Sequence, residues 1–323
     1  MALSFPWRQA VLSVGVASVT LWRVPFANLR IAFRSLELAS LLLAVFCFLV
    51  LFSLRAYKWH RLMATAGQAR ARQSLRTLFG GFAVGLITPR LGELGRCIFV
   101  RKHERTQVGL STLVDRSLDV WALLTLVGAS LFFLVPQPAA VLGVATWLAL
   151  LPVMMGFPGL LAHLAQLVRR SRHFHGYLAE IASDLPPVQM LRFAIMALGA
   201  LWAALASFYF ILRAFAPADF TTVVATWPYI VLAGDLPLSF SGVREGVAAL
   251  LLSPYALPFG AAVDTALLWF AFAILLPALL GVVWLVIERI RSQLEHSDDL
   301  PPPPRRAPQE MESPTTDSQR GPS

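Results

Sequence analysis

Residues 36–54 read LELASLLLAVFCFLVLFSL, an almost uninterrupted apolar run that contains a single charged side chain, Glu37. An α-helix needs about 20 such residues to cross the hydrocarbon core of a bilayer. The whole chain has the same character, with 57% hydrophobic and 14% charged residues and a mean hydropathy of +0.66. Because a soluble domain carries roughly a quarter charged residues, the composition predicts an all-α polytopic membrane protein.

Apolar runs of comparable length predict six full membrane spans. They lie near 9–27, 36–54, 113–135, 139–162, 192–212 and 262–287. Two further apolar stretches, near 77–89 and 222–238, are too short to span. The first ends in Pro89 before Gly92 and the second in Pro237 before Gly242. Short segments broken by proline and glycine are typical of re-entrant helices, which lie where protein or a wet cavity surrounds them.

The distribution of basic residues predicts the orientation in the membrane. If both short segments are re-entrant and the N-terminus is cytoplasmic, 22 of the 27 basic residues lie inside and 5 outside. The positive-inside rule favours this topology over its inverse. We therefore expect a protein of the cell (inner) membrane with both termini in the cytoplasm. The excess of basic residues at the cytoplasmic membrane border explains the net charge of +9. We therefore do not expect nucleic acid as a partner.

The predicted order of segments repeats with opposite orientation. Residues 1–137 give span, span, re-entrant segment and span starting inside, and residues 138–290 give the same order starting outside. Such inverted repeats place a working site where the two broken segments meet. Residues 291–323 are rich in proline and polar side chains and are predicted to form a disordered cytoplasmic tail.

Two clusters at the ends of the short segments hold the candidates for binding. Charged groups at membrane depth are expensive and usually face partners or water. The first cluster offers Arg90, Gly92, Glu93 and Arg96, and the second offers Asp235, Ser239, Arg244 and Glu245. Glu93 and Arg96 can pair on one helical face, and an arginine fork suits phosphate. The alternatives are a structural cap with an ion pair in the first cluster and a polar external loop in the second.

Other polar positions are predicted to have structural or gating roles. Arg55 and Trp59, four residues apart just past the second span, could be a functional pair or equally an interfacial anchor, and Arg116 with Asp119 could be functional or form a structural bridge at the start of the third span. The histidines and the two cysteines form no metal-binding spacing, and no nucleotide-binding or hydrolase motif is present. We therefore expect no metal, no cofactor and no catalytic residue.

Four motifs resemble those of a known family. They are Arg55-x-x-x-Trp59; Gly81-Phe82-x-x-x-x-x-Thr88-Pro89-Arg90-Leu91-Gly92-Glu93-x-x-Arg96; Asp115-Arg116-x-x-Asp119; and Leu236-Pro237-x-Ser239-x-x-Gly242-Val243-Arg244-Glu245-Gly246. Over about residues 1–290 the chain resembles the lysylphosphatidylglycerol synthase transmembrane region, a flippase-like group of bacterial and archaeal membrane proteins. The stretch 239–242 is shorter than the glycine-rich run of that family.

The resemblance implies that the protein moves an amphiphilic lipid between leaflets, such as a modified phospholipid, a hopanoid or a lipid-linked sugar. Arg90, Glu93 and Arg96 would bind the headgroup from the cytoplasmic side, and Arg244 with Glu245 from the outer side. The sequence is not expected to contain a soluble aminoacyl-transferase domain. Lysyl transfer is therefore not an expected activity.

Two other classes of function stay open at this stage. The chain could be a non-transporting subunit or scaffold for a lipid-modifying enzyme or a glycosyltransferase. It could also be an intramembrane transferase that uses Glu93 or Asp235 as a base.

Overall fold

The computed structural model describes residues 37–65, 70–87, 94–101, 104–134, 186–235, 243–255 and 257–298, together with the single positions 141, 143 and 145. Throughout this part of the chain the secondary structure is helical, and it contains no strand. The chain forms two compact units, Met1–Leu285 and Val286–Ser323. Every contact discussed below lies within the first unit.

The helices follow one another with short breaks. They are α1 (Leu38–Thr65), α2 (Ala71–Ile87), a 3₁₀ helix (Leu94–Phe99), α3 (Arg105–Leu134), α4 (Pro187–Phe215), α5 (Phe220–Asp235), α6 (Val243–Leu252), a second 3₁₀ turn (Ser253–Tyr255), α7 (Phe259–Phe270), a π-helical turn (Ala271–Leu275) and α8 (Leu276–Asp298). Because α7, the π turn and α8 are continuous, they form one long helical element.

Four helical stretches of the described chain are long and apolar enough to cross a membrane: Leu38–Thr65, Arg105–Leu134, Pro187–Phe215 and Phe259–Ile287. They correspond to four of the six predicted spans. The other two predictions, 9–27 and 139–162, lie outside the described residues apart from the three single positions. Both predicted short segments are helices below the length of a span, because α2 has 17 residues and α5 has 16.

Several helices are longer than the apolar runs that predicted them. Helix α1 continues to Thr65 rather than ending near residue 54, and α3 begins at Arg105 rather than near 113. The polar extension of α1 is stabilised by packing, since Trp59, Leu62 and Met63 are buried there. Helix α8 runs to Asp298, past residue 291 at which the tail was predicted to begin. No proline occurs between Pro277 and Pro301 to end the helix earlier.

The most extensive helix contact is between α1 and α4. Helix α4 presents small buried side chains to its neighbours at a spacing of three or four residues, namely Ala194, Ala197, Ala200 and Ala204. Gly199 leaves room for Leu54 of α1 at 3.5 Å from where a β-carbon would lie. Small residues let membrane helices approach closely and gain van der Waals contact, which is the main source of their association in lipid.

The two short helices are held by the long ones. Helix α5 packs against α3, where the Ser130 hydroxyl donates to the Tyr229 hydroxyl at 3.1 Å. Helix α2 is approached by α8, because the backbone of Gly281 lies against the Phe79 carbonyl with no space for a side chain. Each short helix is therefore in contact with a long one on at least one side.

Candidate functional site

Four charged side chains meet between α1, α3 and the first 3₁₀ helix. Lys58 Nζ lies 2.9 Å from Asp115 Oδ1 and 2.5 Å from Asp119 Oδ1. The other oxygen of Asp115, Oδ2, accepts from Arg96 Nη1 at 2.8 Å. We call Lys58, Arg96, Asp115 and Asp119 the charge cluster. With two positive and two negative groups, the charges of the cluster balance.

The helical geometry explains why the charge cluster forms. Asp115 and Asp119 are four residues apart and therefore lie on one face of α3. Lys58 comes from the polar extension of α1 and is 1% exposed, while the Asp115 side chain is 5% exposed. Removing charges from water is costly unless partners compensate them. The contact with two carboxylates explains how a lysine is tolerated in the interior of this bundle.

The guanidinium of Arg96 stacks on the ring of Trp59. The Cζ of Arg96 lies 4.3 Å from the centre of the Trp59 ring, a cation–π distance. The indole Nε1 donates to the Thr77 hydroxyl on α2 at 2.8 Å, which fixes the plane of the ring. Thr77 in turn donates to the Ser74 carbonyl at 2.9 Å. Arg96 is thus positioned by a carboxylate at one edge and by an anchored aromatic face.

The 3₁₀ helix that carries Arg96 packs closely on α2. A β-carbon on Gly95 would lie 2.7 Å from Cγ1 of Val84, and one on Gly80 would collide with the Phe99 ring. These two glycines permit the approach that brings Arg96 to Trp59. Arg96 is 6% exposed, and its buried Nε has no hydrogen-bond partner in the described part of the chain. A buried donor left unsatisfied is destabilising.

A cysteine adjoins this arginine. Cys97 is half-buried and lies against Gly109 of α3, with Sγ at 3.5 Å from the position of an added β-carbon. Burial raises the pKa of the Cys97 thiol, and the positive charge of Arg96 opposes that rise. The thiol is therefore a poor nucleophile at neutral pH.

A second arginine stacks on a tryptophan in the other half of the chain. The Cζ of Arg244, in the first turn of α6, lies 5.5 Å from the ring centre of Trp269 on α7. Trp269 Nε1 donates to the Ser207 hydroxyl at 3.1 Å. Gly234, near the end of α5, lies directly against the Arg244 guanidinium. The two helices of the broken segment meet at this arginine.

The ring of Trp269 is held within an aromatic group. It packs edge to face on Phe208 and on Trp227, with ring centres 6.4 and 5.9 Å away. Such geometry is the favoured one for aromatic pairs. The Arg244 side chain is half-buried against this group. It therefore remains more open to solvent or ligand than Arg96.

The structure describes part of the predicted site. Arg96, Arg244, Glu245, Arg55, Trp59, Arg116 and Asp119 are described, and Asp235 is described as the last residue of α5 without its side chain. The predicted positions Pro89, Arg90, Gly92, Glu93, Pro237, Ser239 and Gly242 lie outside the described residues. Arg96 and Asp119 belong to one cluster with Trp59 beside it, whereas Arg244 belongs to the other region.

Two predicted residues have partners that the sequence did not indicate. Trp59, for which an interfacial anchor was one interpretation, is 1% exposed and lies beneath Arg96, with its indole N–H bound to Thr77. Asp119, for which a bridge to Arg116 was considered, contacts Lys58 on another helix through its carboxylate. The long lysine side chain reaches across the α1–α3 interface, which spacing along α3 alone does not reveal.

Three functional candidates were missing from the sequence prediction. Lys58 and Thr77 were not considered, and Trp269 was treated only as part of a span. A signal existed for Lys58, since two carboxylates on one face of an apolar helix require a buried cation. Within the described residues no group of three potential metal ligands occurs.

The fold and these buried polar contacts define a multi-pass α-helical membrane protein. Comparison with protein families sharpens this class, because residues 7–281 match the family described as the lysylphosphatidylglycerol synthase TM region. The match covers most of the chain, so the protein belongs to that family. No curated protein and no solved structure matches the chain.

Proposed function

We propose that the protein translocates an amphiphilic, phosphate-bearing lipid across the membrane. The observation that carries this proposal is that the helix following each short segment presents an arginine stacked on a tryptophan, Arg96 on Trp59 and Arg244 on Trp269. Arginine at membrane depth is expensive, and its planar fork suits bidentate contact with phosphate. Membership of a lipid-related membrane family is in keeping with such a substrate.

The proposal includes an inverted repeat of residues 1–137 and 138–290, with six spans and two re-entrant segments. In that arrangement α1 is equivalent to α4, α2 to α5, and α3 to the final span. Three contacts support it. The equivalent helices α1 and α4 lie along each other, α3 packs on α5, and the final span approaches α2 at Gly281. The last two contacts are the pair that a twofold relation would exchange.

The proposed orientation has both termini in the cytoplasm of a cell whose inner membrane holds the protein. Lys58 lies 20 residues after the start of α1, and Asp115 lies 19 residues before the end of α3. At 1.5 Å per residue both are about 30 Å from the far ends of their helices, the thickness of the hydrocarbon core. The charge cluster would then lie near one face, which the distribution of basic residues makes the cytoplasmic one.

In this proposal the two segments receive the headgroup in turn. Arg96, with Arg90 and Glu93, would contact it from the cytoplasmic side, and Arg244 with Glu245 from the outer side. The lipid tails would stay in the bilayer, and no covalent step is involved. The cation–π contacts would hold each guanidinium flat, so that less side-chain freedom is lost when phosphate binds.

The test is leaflet exchange by the purified protein in liposomes that contain a headgroup-labelled phospholipid. The readout is the fraction of label that a membrane-impermeant reductant removes. We expect Arg244→Lys to slow exchange and Arg244→Ala to abolish it, because lysine keeps the charge and loses the fork. Arg213→Lys is the matched control, since Arg213 is an exposed arginine on α4. Exchange no faster than in empty liposomes, across lipids drawn from the host, would overturn the proposal.

The second candidate is a non-transporting scaffold for a lipid-modifying enzyme or a glycosyltransferase. Its supporting observation is the charge balance of the cluster, since Lys58, Arg96, Asp115 and Asp119 neutralise one another as a purely structural group would. A scaffold gives no reason for leaflet exchange to depend on Arg244. If exchange is absent while an enzyme co-purifies with the protein, the scaffold is favoured.

A further inference from the structure

The contacts of Arg96 indicate a role for the residues around it. Its Nη1 is bound to Asp115, and its planar face lies on Trp59. The 3₁₀ helix that carries it is held against α2 through Gly95. The remaining feature is Nε, which is buried and donates to nothing in the described chain. An arginine held in this way has a fixed orientation, and its buried Nε–H has no acceptor in the described chain.

We infer that Asp115, Lys58, Trp59 and Thr77 are positioning residues that fix Arg96 as a preformed receptor for one phosphate group, with its Nε edge as the binding edge. The inference rests on the proposed function, because it assigns the same arginine to a lipid headgroup. It adds the edge of Arg96 that would bind the phosphate group, and it names residues that act through Arg96 without touching the ligand.

The choice of phosphate follows from the geometry of the unused edge. On the Nε edge of the guanidinium, Nε–H and one N–H of Nη2 point in the same direction. The two donors match two oxygens of one tetrahedral anion. The acceptor would also satisfy the buried Nε, which removes the penalty of an unpaired donor. Asp115 can keep its bond to Nη1 throughout, so the cluster need not separate.

Lys58 has a separate part in this arrangement. It contacts both carboxylates, so Asp115 is not neutralised by Arg96 alone. The second counter-ion leaves Arg96 with more of its positive charge available to a ligand than an isolated arginine–aspartate pair would have. The Asp119 side chain, 20% exposed, is the most open member of the cluster.

The positioning role is tested by variants that change geometry and leave charge unaltered. Asp115→Glu keeps the carboxylate and displaces it by one methylene. Thr77→Val keeps the size of the side chain and removes the acceptor that fixes Trp59. Arg101→Gln, on an exposed arginine beyond the same 3₁₀ helix, is the control. Arg96→Lys keeps the charge and removes the binding edge.

The measurement is the dissociation constant of purified full-length protein in detergent, with thermal unfolding recorded for each variant. The probes are inorganic phosphate and a short-chain phosphatidic acid, with glycerol as the uncharged comparison. Wild-type protein is expected to bind both phosphates and not glycerol. Tighter binding of the lipid identifies a headgroup site, and equal binding identifies a site for free phosphate.

We expect Asp115→Glu to weaken phosphate binding about tenfold and Thr77→Val about threefold, because each leaves Arg96 less well oriented, and Arg96→Lys to abolish it, because it removes the binding edge. Arg101→Gln should bind as wild type does. The inference is overturned if Arg96→Lys binds normally, or if Asp115→Glu and Thr77→Val lower the melting temperature and leave the dissociation constant unchanged. If Asp115→Glu does not fold, Thr77→Val decides. Because binding is measured without transport, absence of leaflet exchange would count against the proposed function alone.

Discussion

The two arginine–tryptophan pairs differ in how deeply the arginine is buried and in how many groups hold it. Arg96 is buried, 4.3 Å from its ring centre, and belongs to a cluster of balanced charge. Arg244 is half-buried, 5.5 Å from its ring centre, and rests against the backbone of Gly234. The same pair of residue types therefore occurs once in a rigid setting and once in an open one. We expect changes in the first region to affect stability more, and changes in the second to affect exchange more.

The largest expected difference between the regions is their side of the membrane. With Cys47 and Cys97 replaced by serine, single cysteines at residues 68 and 102 should react only with a reagent that enters the cytoplasm. A cysteine at Asp219, exposed between α4 and α5, should react from outside. With a membrane-impermeant reagent added outside, the contrast should be all or none: the cysteine at residue 219 reacts, and those at residues 68 and 102 do not. Labelling of residue 102 from outside would refute the re-entrant first segment and the inverted repeat with it.

Removal of Lys58 should be the most destabilising single change. Lys58→Met leaves Asp115 and Asp119 with Arg96 as their only counter-ion in the cluster, and breaking a buried ion pair costs about 3–5 kcal/mol. The melting temperature in detergent should fall sharply, and that of Arg244→Ala much less.

A second substitution tests the cause of that loss. Lys58→Met with Asp119→Asn restores the charge balance and should recover part of the stability, which a double-mutant cycle measures. If the double variant loses the sum of the stabilities that the two single variants lose, Lys58 and Asp119 are not coupled.

Two glycine substitutions compare the rigidity of the regions. Gly95→Ala places a methyl group 2.7 Å from Val84, on a packed helix that cannot withdraw, and should cost about 1–3 kcal/mol. Gly234→Ala meets only the end of the flexible Arg244 side chain, so it should change stability little and slow lipid exchange by moving the guanidinium off Trp269. Equal losses of stability would mean that the second region is as tightly packed as the first. Gly246→Ala, with open space at its β-position, is the control.

The smallest expected effect concerns the thiol beside Arg96. Because burial raises the pKa of Cys97, its thiolate fraction, and hence its alkylation rate, should still be rising at pH values above the ordinary thiol range. The comparison is the rate against pH for an exposed engineered cysteine at residue 219, measured by mass spectrometry. A Cys97 rate that levels off at lower pH than the exposed cysteine would contradict the assigned burial effect.

The sequence predicted the long helices well because an apolar run of about 20 residues has few alternatives to a membrane helix. It also predicted apolar helices near 77–89 and 222–238 that are shorter than a span, and α2 and α5 have 17 and 16 residues. Helix ends were predicted less well. The end of α1 at Thr65 depends on packing against α2 and α3, which hydropathy along α1 does not contain.

The site was predicted as residue types and not as partners. Arg96, Arg244, Trp59 and Asp119 were all chosen from sequence, yet the contact of Asp119 with Lys58 was not foreseen. Lys58 and Asp115 are 57 positions apart, and only the packing of two helices brings them to 2.9 Å. The stacking of Arg244 on Trp269 is likewise a tertiary contact between elements that have no shared sequence pattern.

The central claim is that both arginine–tryptophan pairs serve the movement of one phosphate-bearing lipid. The most direct measurement is the rate of leaflet exchange in liposomes for wild type, Arg96→Lys, Arg244→Lys and the control Arg213→Lys, each shown to be folded by its melting temperature. The account predicts fast exchange for wild type and the control and slow exchange for both other variants. Equal exchange by all four proteins, or wild-type exchange at the rate of empty liposomes, would contradict it.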